Sequence, residues 1–315
     1  MTRLLTGGLV VACALMVLGA AGQQPIFRGT GEAVHVYVTV TDRDGRLVTD
    51  LPQEAFEIRD EGDPQPITLF DNTPQPIRLV VMLDVSGSME GNLPLLRAAS
   101  DQLFARLLPD DVVRLGTFGN EVAISPEFTS DRLVLRAALP ETIDPEASTP
   151  LWRGLDDAME AFGDERPMRP VVLVLSDGYD SGPTGFRTRF VSQAEVIDRA
   201  RGDDVMIYGV GMESRSSRRP VPGFGAAGLQ AALRADQPDP GLARVAEETG
   251  GGYIEIGLGQ DLGAAFAAVA DELHSQYLIA FEPPERDGKK HDIDVRVSGR
   301  GLEARARKDY VAPKD

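Results

Sequence analysis

Apolar and polar residues alternate with a period of two at both ends of the chain, whereas its centre carries unbroken apolar runs followed by helical spacing. From Ala33 to Thr41, Val34, Val36, Val38 and Val40 share one face and His35, Tyr37, Thr39 and Thr41 the other, which predicts a half-buried strand. Asp42-Arg43-Asp44-Gly45-Arg46 reads as a turn. Phe56 and Ile58 alternate toward a second turn at Asp60-Glu61-Gly62-Asp63, and Ile67 to Phe70 predicts a further strand. Residues 30–72 are therefore an all-β segment, too short to bury both faces alone. Near the other end, His291 to Ser298 alternates Ile293, Val295 and Val297 with Asp292, Asp294 and Arg296. Gly301 to Lys308 then alternates Leu302, Ala304 and Ala306 with Glu303, Arg305 and Arg307. Gly299-Arg300 between them suits a type II′ turn. The resulting hairpin would set Arg296 opposite Glu303, Asp294 opposite Arg305 and Asp292 opposite Arg307. The expectation is a small β unit in which residues 277–313 pair with residues 30–72.

Between these ends, strand and helix patterns alternate, the signature of a doubly wound, mostly parallel α/β sheet flanked by helices. Ile77 to Leu83 is an apolar run, followed by a helix with Leu96, Ala99, Leu103 and Leu107 on one face. Val112 to Phe118 and Val122 to Phe128 flank Gly119-Asn120-Glu121, a hairpin that makes the second strand an antiparallel edge. Leu151, Leu155, Ala158 and Phe162 predict the next helix; Val171 to Leu175, Val205 to Val210 and Tyr253 to Ile256 continue the strands. A last helix, Asp261 to Gln276, buries Leu262, Phe266, Val269 and Leu273. These elements define one domain over 77–276. Residues 212–240, rich in Gly, Pro and Arg, read as an irregular exposed loop carrying Arg215, Arg218, Arg219 and Arg234.

Composition narrows the setting. In residues 1–22, Arg3 precedes the apolar stretch Leu4 to Leu18, and Gly19-Ala20-Ala21-Gly22 supplies small residues for cleavage. This reads as a secretory signal peptide and places the protein outside the cytoplasm, secreted or periplasmic. An uncleaved membrane anchor is an alternative, and lipid attachment at Cys13 a weaker one, because Ala14 to Ala21 stays apolar. Cys13 is the only cysteine, so the fold is built without disulfides. With 49 acidic against 32 basic residues, the formal charge is −17 at pH 7, which argues against nucleic acid and anionic lipid surfaces as partners. The three histidines, His35, His274 and His291, are read as structural.

The candidate chemistry lies where two buried strands end. Asp84, Ser86 and Ser88 follow the first apolar run, Asp177 follows the run Val171 to Leu175, and Thr149 precedes a helix. Open α/β sheets bind ligands at such strand ends. Two carboxylates and three hydroxyls, with no His or Cys nearby, suit a hard divalent cation, Mg²⁺ or Mn²⁺. Each residue also has a plainer reading. Thr149 before Pro150 suits a helix cap, Ser86 and Ser88 a turn at a helix entrance, and Asp84 and Asp177 ordinary strand-end carboxylates. Trp152 reads as core packing, with a place on the recognition rim as the alternative. Asp180 reads as a solvated loop carboxylate.

Asp84-Val85-Ser86-Gly87-Ser88-Met89, Ser148-Thr149-Pro150-Leu151 and Leu175-Ser176-Asp177-Gly178, each in its strand and loop context, resemble the von Willebrand factor type A domain over residues 77–276. The whole layout also resembles bacterial secreted proteins with a related domain, in which a β segment precedes the first strand and the chain ends in β structure. The first resemblance implies a metal-ion-dependent adhesion site. Ser86, Ser88 and Thr149 would give hydroxyl oxygens to Mg²⁺, Asp84 and Asp177 would act directly or through water, and a partner carboxylate would complete the site. The function implied is a non-enzymatic, adhesion-type module that binds a protein or peptide carboxylate. One alternative is a structural scaffold that binds through its β unit without metal. Another is phosphoryl transfer with Asp84 as nucleophile. That reading lacks an acid at position 86, and the four lysines, Lys289, Lys290, Lys308 and Lys314, all lie in the C-terminal segment. A serine hydrolase lacks the Gly-x-Ser-x-Gly elbow around Ser86.

Overall fold

Two apolar runs that are buried on both faces organise the centre of the molecule. The structure is a computed structural model that describes residues 33–163, 168–182, 189–213, 238–257 and 259–314. The expected leader, residues 1–22, and the arginines assigned to the 212–240 loop lie outside the described residues.

The central sheet contains β5 (Ile77–Asp84), β6 (Val112–Phe118), β7 (Val122–Ile124), β8 (Arg169–Ser176), β9 (Met206–Met212) and β10 (Tyr253–Ile256). Their order is β10-β9-β8-β5-β6-β7. All neighbours pair parallel except β7, which is the antiparallel edge the sequence predicts, and ends at Ile124 rather than Phe128. Along β5 the side chains alternate between two helix layers, so no polar face is needed. Leu79, Val81 and Leu83 pack with Leu96, Leu103, Phe266 and Val269, which lie on α1 (Leu93–Arg106) and the last helix. A short α2 (Arg132–Ala137) closes over that side with Leu135. Val80 and Met82 face the opposite layer, formed by α3 (Leu151–Glu160), α4 (Gln193–Gly202) and α5 (Pro240–Glu248). The last helix, α6 (Leu262–Leu273), starts at an Asp261 cap whose carboxylate accepts from Ala264 N–H. This is the doubly wound α/β fold expected from the alternation.

The remaining strands form two antiparallel four-stranded sheets. One has the order β13-β1-β11-β4, from β1 (Val34–Thr41), β4 (Leu69–Asp71), β11 (Tyr277–Phe281) and β13 (Glu303–Arg305). The other is β14-β12-β2-β3, from β2 (Phe56–Asp60), β3 (Asp63–Gln65), β12 (Lys290–Val297) and β14 (Asp309–Val311). Val34, Val36, Val38, Tyr277, Ile279 and Phe281 from the first share one core with Phe56, Ile58, Ile293 and Tyr310 from the second. Both sheets thus combine strands from the two chain ends.

The predicted hairpin between 291–298 and 301–308 does not form. β12 pairs with β2 and β14, whereas β13 pairs with β1 in the facing sheet. The Gly299-Arg300-Gly301 link, with positive φ at both glycines, carries the chain from one layer to the other. Cross-strand charge does not distinguish the two arrangements. Asp294 lies opposite Arg59 and Arg296 opposite Glu57, so β2 offers the same complementarity that the hairpin would have supplied.

The β layers are joined to the central sheet through buried polar contacts. Arg169, at the start of β8, donates to the Leu273 carbonyl at 2.8 Å and to the Gln276 side chain, and its guanidinium lies 4.3 Å from the Tyr37 ring centre. Gln276 in turn donates to Thr39 Oγ1 at 2.8 Å. Arg201 meets Asp309 at 2.8 Å, and at the surface Lys308 meets Glu247 at 2.6 Å. His274 contacts Asp111 at 2.9 Å, and the same carboxylate accepts the Ile77 N–H at 3.0 Å. His274 is therefore structural, as expected.

Candidate metal centre

The chain leaves β5 toward β6 on one side and returns to β8 on the other, so a crevice opens at the carboxyl ends of β5 and β8. Asp84 is the last residue of β5, Ser176 the last of β8, and Asp177 follows directly. The Asp84 carboxylate accepts the Ser86 N–H at 2.8 Å through one oxygen and the Ser176 hydroxyl at 2.6 Å through the other. Ser88 donates to Asp177 Oδ1 at 2.7 Å, and its Oγ lies 3.1 Å from that of Ser86. Thr149 is fastened by its backbone to Ser181: its N–H donates to Ser181 Oγ at 2.9 Å, and its carbonyl accepts the Ser181 N–H at 2.9 Å. A Cβ built on Gly178 would sit 3.4 Å from Thr149 Oγ1, so the threonine hydroxyl lies beside the backbone that carries Asp177. All five candidate residues converge.

One of the plainer readings fails on geometry. Helix α3 begins at Leu151 with Pro150 in the cap position, and the side chain that accepts from its first turn is that of Asp180, from the Trp152 N–H, so the Thr149 hydroxyl is not the helix cap. Ser86 and Ser88 do lie at a turn before a helix, the 3₁₀ turn over Gly87–Asn92 that leads into α1, but the Ser86 hydroxyl makes no capping bond there. The strand-end carboxylates are not ordinary: Asp84 and Asp177 are both fully buried. Burial first, and the charge of Asp177 second, push the Asp84 carboxyl up to about 7, against the opposing hydrogen bonds from Ser176 and Ser86. Two neighbouring buried carboxylates ringed by three hydroxyls make a donor set that fits a hard divalent cation.

The loop bearing Ser86 and Ser88 is pressed against the segment before Thr149. Gly87 N–H donates to the Ala147 carbonyl at 3.0 Å, and a Cβ on Gly87 would lie 2.0 Å from the Pro145 carbonyl oxygen. Only glycine permits that approach. Asp180, expected as a solvated carboxylate, is instead a loop organiser. It accepts the Trp152 N–H at 3.3 Å and the Gly182 N–H at 2.9 Å, and its own N–H donates to Asp239 at 3.1 Å. Trp152 is core, packed with Leu151, Leu155 and Leu242. Near the crevice, Tyr179 and Phe190 remain exposed.

Three supporting residues escaped the sequence reading. Ser176, which orients Asp84, stood next to Asp177 at the end of an apolar run and was legible in retrospect. Ser181 and Asp239 carry no local signal, because their roles depend on loops brought together by the fold. His291 also differs from a plain core histidine. It lies between the Asp60 and Asp287 carboxylates, and Glu285 is close by.

The family model of the von Willebrand factor type A domain matches residues 79–233. Among solved structures, the chain is similar to a von Willebrand factor type A protein from Catenulispora acidiphila, with 12% identity, 92% of this chain and 76% of that one covered, and a TM-score of 0.47. It is also similar to an aerotolerance-related membrane protein from Bacteroides fragilis, at 16% identity, 62% and 98% coverage and a TM-score of 0.46. A third is proximal thread matrix protein 1 from the mussel byssus, solved with a zinc-occupied metal-ion-dependent adhesion motif, at 17% identity, 68% and 50% coverage and a TM-score of 0.46. No curated protein matches the chain. The matched segment spans β5 to β9 and contains all five candidate residues, so the chain carries a von Willebrand factor type A domain over residues 79–233.

Proposed function

We propose that this protein is an extracytoplasmic, non-enzymatic binding module that engages a carboxylate of a protein or peptide partner through a divalent cation. The residues that would hold the ion are Asp84, Ser86, Ser88, Thr149 and Asp177. The observation that carries the reading is the pair of fully buried acids, Asp84 and Asp177, with no capping role left for the hydroxyls of Thr149 and Ser86. When bound, Mg²⁺ or Mn²⁺ supplies positive charge and an open coordination place to which a carboxylate binds. Hydroxyl ligands neutralise little of that charge, so an otherwise acidic protein gains a local attraction for an acidic group.

The chain's own residues prepare this site. Ser176 and the Ser86 N–H fix the Asp84 carboxylate from both sides, Ser88 orients Asp177, and Gly87 locks the first loop against Pro145. A rigid frame of this kind lowers the ordering cost of binding. The extracytoplasmic setting rests on the leader-like composition of residues 1–22. No helix among the described residues is long and apolar enough to cross a membrane.

The test is biolayer interferometry on peptides with a central Asp or Glu and their Asn or Gln counterparts, in Mg²⁺ and in EDTA. Capture of the acidic peptides alone, abolished by EDTA and by Asp84→Ala in a chain with unchanged circular dichroism, is the expected result. Capture that survives both treatments would move the working surface to the β layers.

A further inference from the structure

We propose a second cation site, for zinc or a similar first-row divalent ion, formed by Glu285, Asp287 and His291 on the β layers. It is separate from the cluster at the ends of β5 and β8 and does not depend on how that cluster functions.

His291 sits on β12 with its side chain only 7% exposed. Its Nδ1 lies 3.2 and 3.4 Å from the two oxygens of Asp60, a carboxylate with no exposed surface. Tyr310 donates its hydroxyl to the same carboxylate at 3.2 Å. Register reinforces this placement: His291 lies opposite Tyr310, and Asp60 and Ile293 are paired across β2 and β12. The Asp60 carboxylate favours a proton on Nδ1, and Nε2 is turned toward Asp287. A buried carboxylate fixing the far nitrogen of an imidazole is how proteins orient a histidine toward a metal.

Nε2 points to two further oxygen donors. Asp287 Oδ1 lies 3.3 Å away, and Nε2, an Asp287 oxygen and a Glu285 oxygen all fall within 4.8 Å of one another. An ion about 2.1 Å from each of two ligands in a tetrahedral shell separates them by about 3.4 Å, close to the 3.3 Å between His291 Nε2 and Asp287 Oδ1. Asp287 is held by the Lys289 N–H, which donates to Oδ1 at 2.8 Å, in a turn that Gly288 permits with φ +72. Glu285 is exposed, and its carboxylate would have to move closer to complete the set. These residues line an open hollow of about 450 Å³ together with Lys289, whose exposed ammonium pairs with Asp287 at 2.7 Å and would swing away when an ion binds. One imidazole with two carboxylates favours a borderline cation such as zinc over Mg²⁺. The site would fasten the 284–289 turn to strands drawn from both chain ends.

An imidazolium clamped between Asp60 and Asp287 would show the same contacts, so the experiment must separate the two states. Zn²⁺ is titrated calorimetrically into the full chain in excess Mg²⁺, with Thr149→Ala as a control for the other cluster. The expected result is one zinc per chain, retained in Thr149→Ala. Glu285→Gln, an exposed change that leaves the fold intact, is expected to weaken binding about tenfold. Asp60→Asn is expected to weaken it about 10- to 100-fold and His291→Gln to abolish it. No zinc binding in the wild type, or binding lost in Thr149→Ala but unchanged in Glu285→Gln and His291→Gln, would overturn the assignment.

Discussion

Replacing Asp84 by Asn should make the metal-free protein more stable and the Mg²⁺-bound protein relatively less so. Asp84 is fully buried, accepts two hydrogen bonds and lies within the influence of Asp177, which together leave its carboxyl at about 7 instead of 3.8. At about 1.4 kcal/mol per tenfold change in acidity, ionising it in the folded state costs on the order of 4 kcal/mol. The neutral amide avoids that repulsion but carries its own desolvation cost of about 1–3 kcal/mol. A net gain of about 2 kcal/mol remains, on the order of 5 °C in Tm for a chain of this size. The sign with pH follows from the folded carboxyl titrating above its unfolded value. The penalty is absent below about 4 and full above about 7, so metal-free wild type gains stability on acidification through this window, and the variant lacks that gain. Saturating Mg²⁺ at about 100 times its dissociation constant should stabilise the wild type by about 2.7 kcal/mol and the variant hardly at all. Differential scanning fluorimetry in EDTA and in Mg²⁺, at two pH values, reads both effects. A variant that melts lower in EDTA and keeps the Mg²⁺ shift would refute the reasoning.

Gly87→Ala should force the Ser86–Ser88 loop off the Pro145 carbonyl and weaken Mg²⁺ binding at least about tenfold, with far-ultraviolet circular dichroism unchanged. Calorimetry checks it, and unaltered affinity would count against the role of that loop. Tyr277→Phe removes the hydroxyl that donates to the Val48 carbonyl at 2.9 Å and accepts the Leu51 N–H at 3.0 Å, so urea unfolding should show a loss of about 1–3 kcal/mol. Arg169→Met leaves the Leu273 carbonyl and Gln276 without their buried donor, and a loss of about 3 kcal/mol by the same assay is expected; no loss would mean that the two layers are held together elsewhere.

Much of this architecture was legible because burial leaves a period in the sequence. Ile77 to Leu83 and Val171 to Leu175 are apolar without interruption because helices cover both faces of β5 and β8. Asp84 and Asp177 stand out because they end those runs, and Ser86, Ser88 and Thr149 because their types match the chemistry of a hard cation. Strand partnership was less legible. Alternation in 291–298 and 301–308 reports one buried face for each strand, but not the sheet that supplies the neighbour. The charges were no guide, since Glu57 and Arg59 on β2 complement Arg296 and Asp294 as well as the hairpin would. His291 looked like a core residue because its carboxylate neighbour, Asp60, lies more than two hundred positions away in the chain. Shorter separations, 59 and 32 positions, hide Asp239 from Asp180 and Ser181 from Thr149, whose contacts exist only once the loops meet.

The central claim is that five oxygen donors at the ends of β5 and β8 hold a divalent cation. Isothermal titration of Mg²⁺, and of Mn²⁺ with its electron paramagnetic resonance signal, into wild type and into Thr149→Ala and Ser86→Ala tests this most directly. The account predicts one Mg²⁺ per wild-type chain and at least about a tenfold loss in each variant, with the fold retained. Absence of Mg²⁺ and Mn²⁺ binding in the wild type, or binding indifferent to both substitutions, would contradict it.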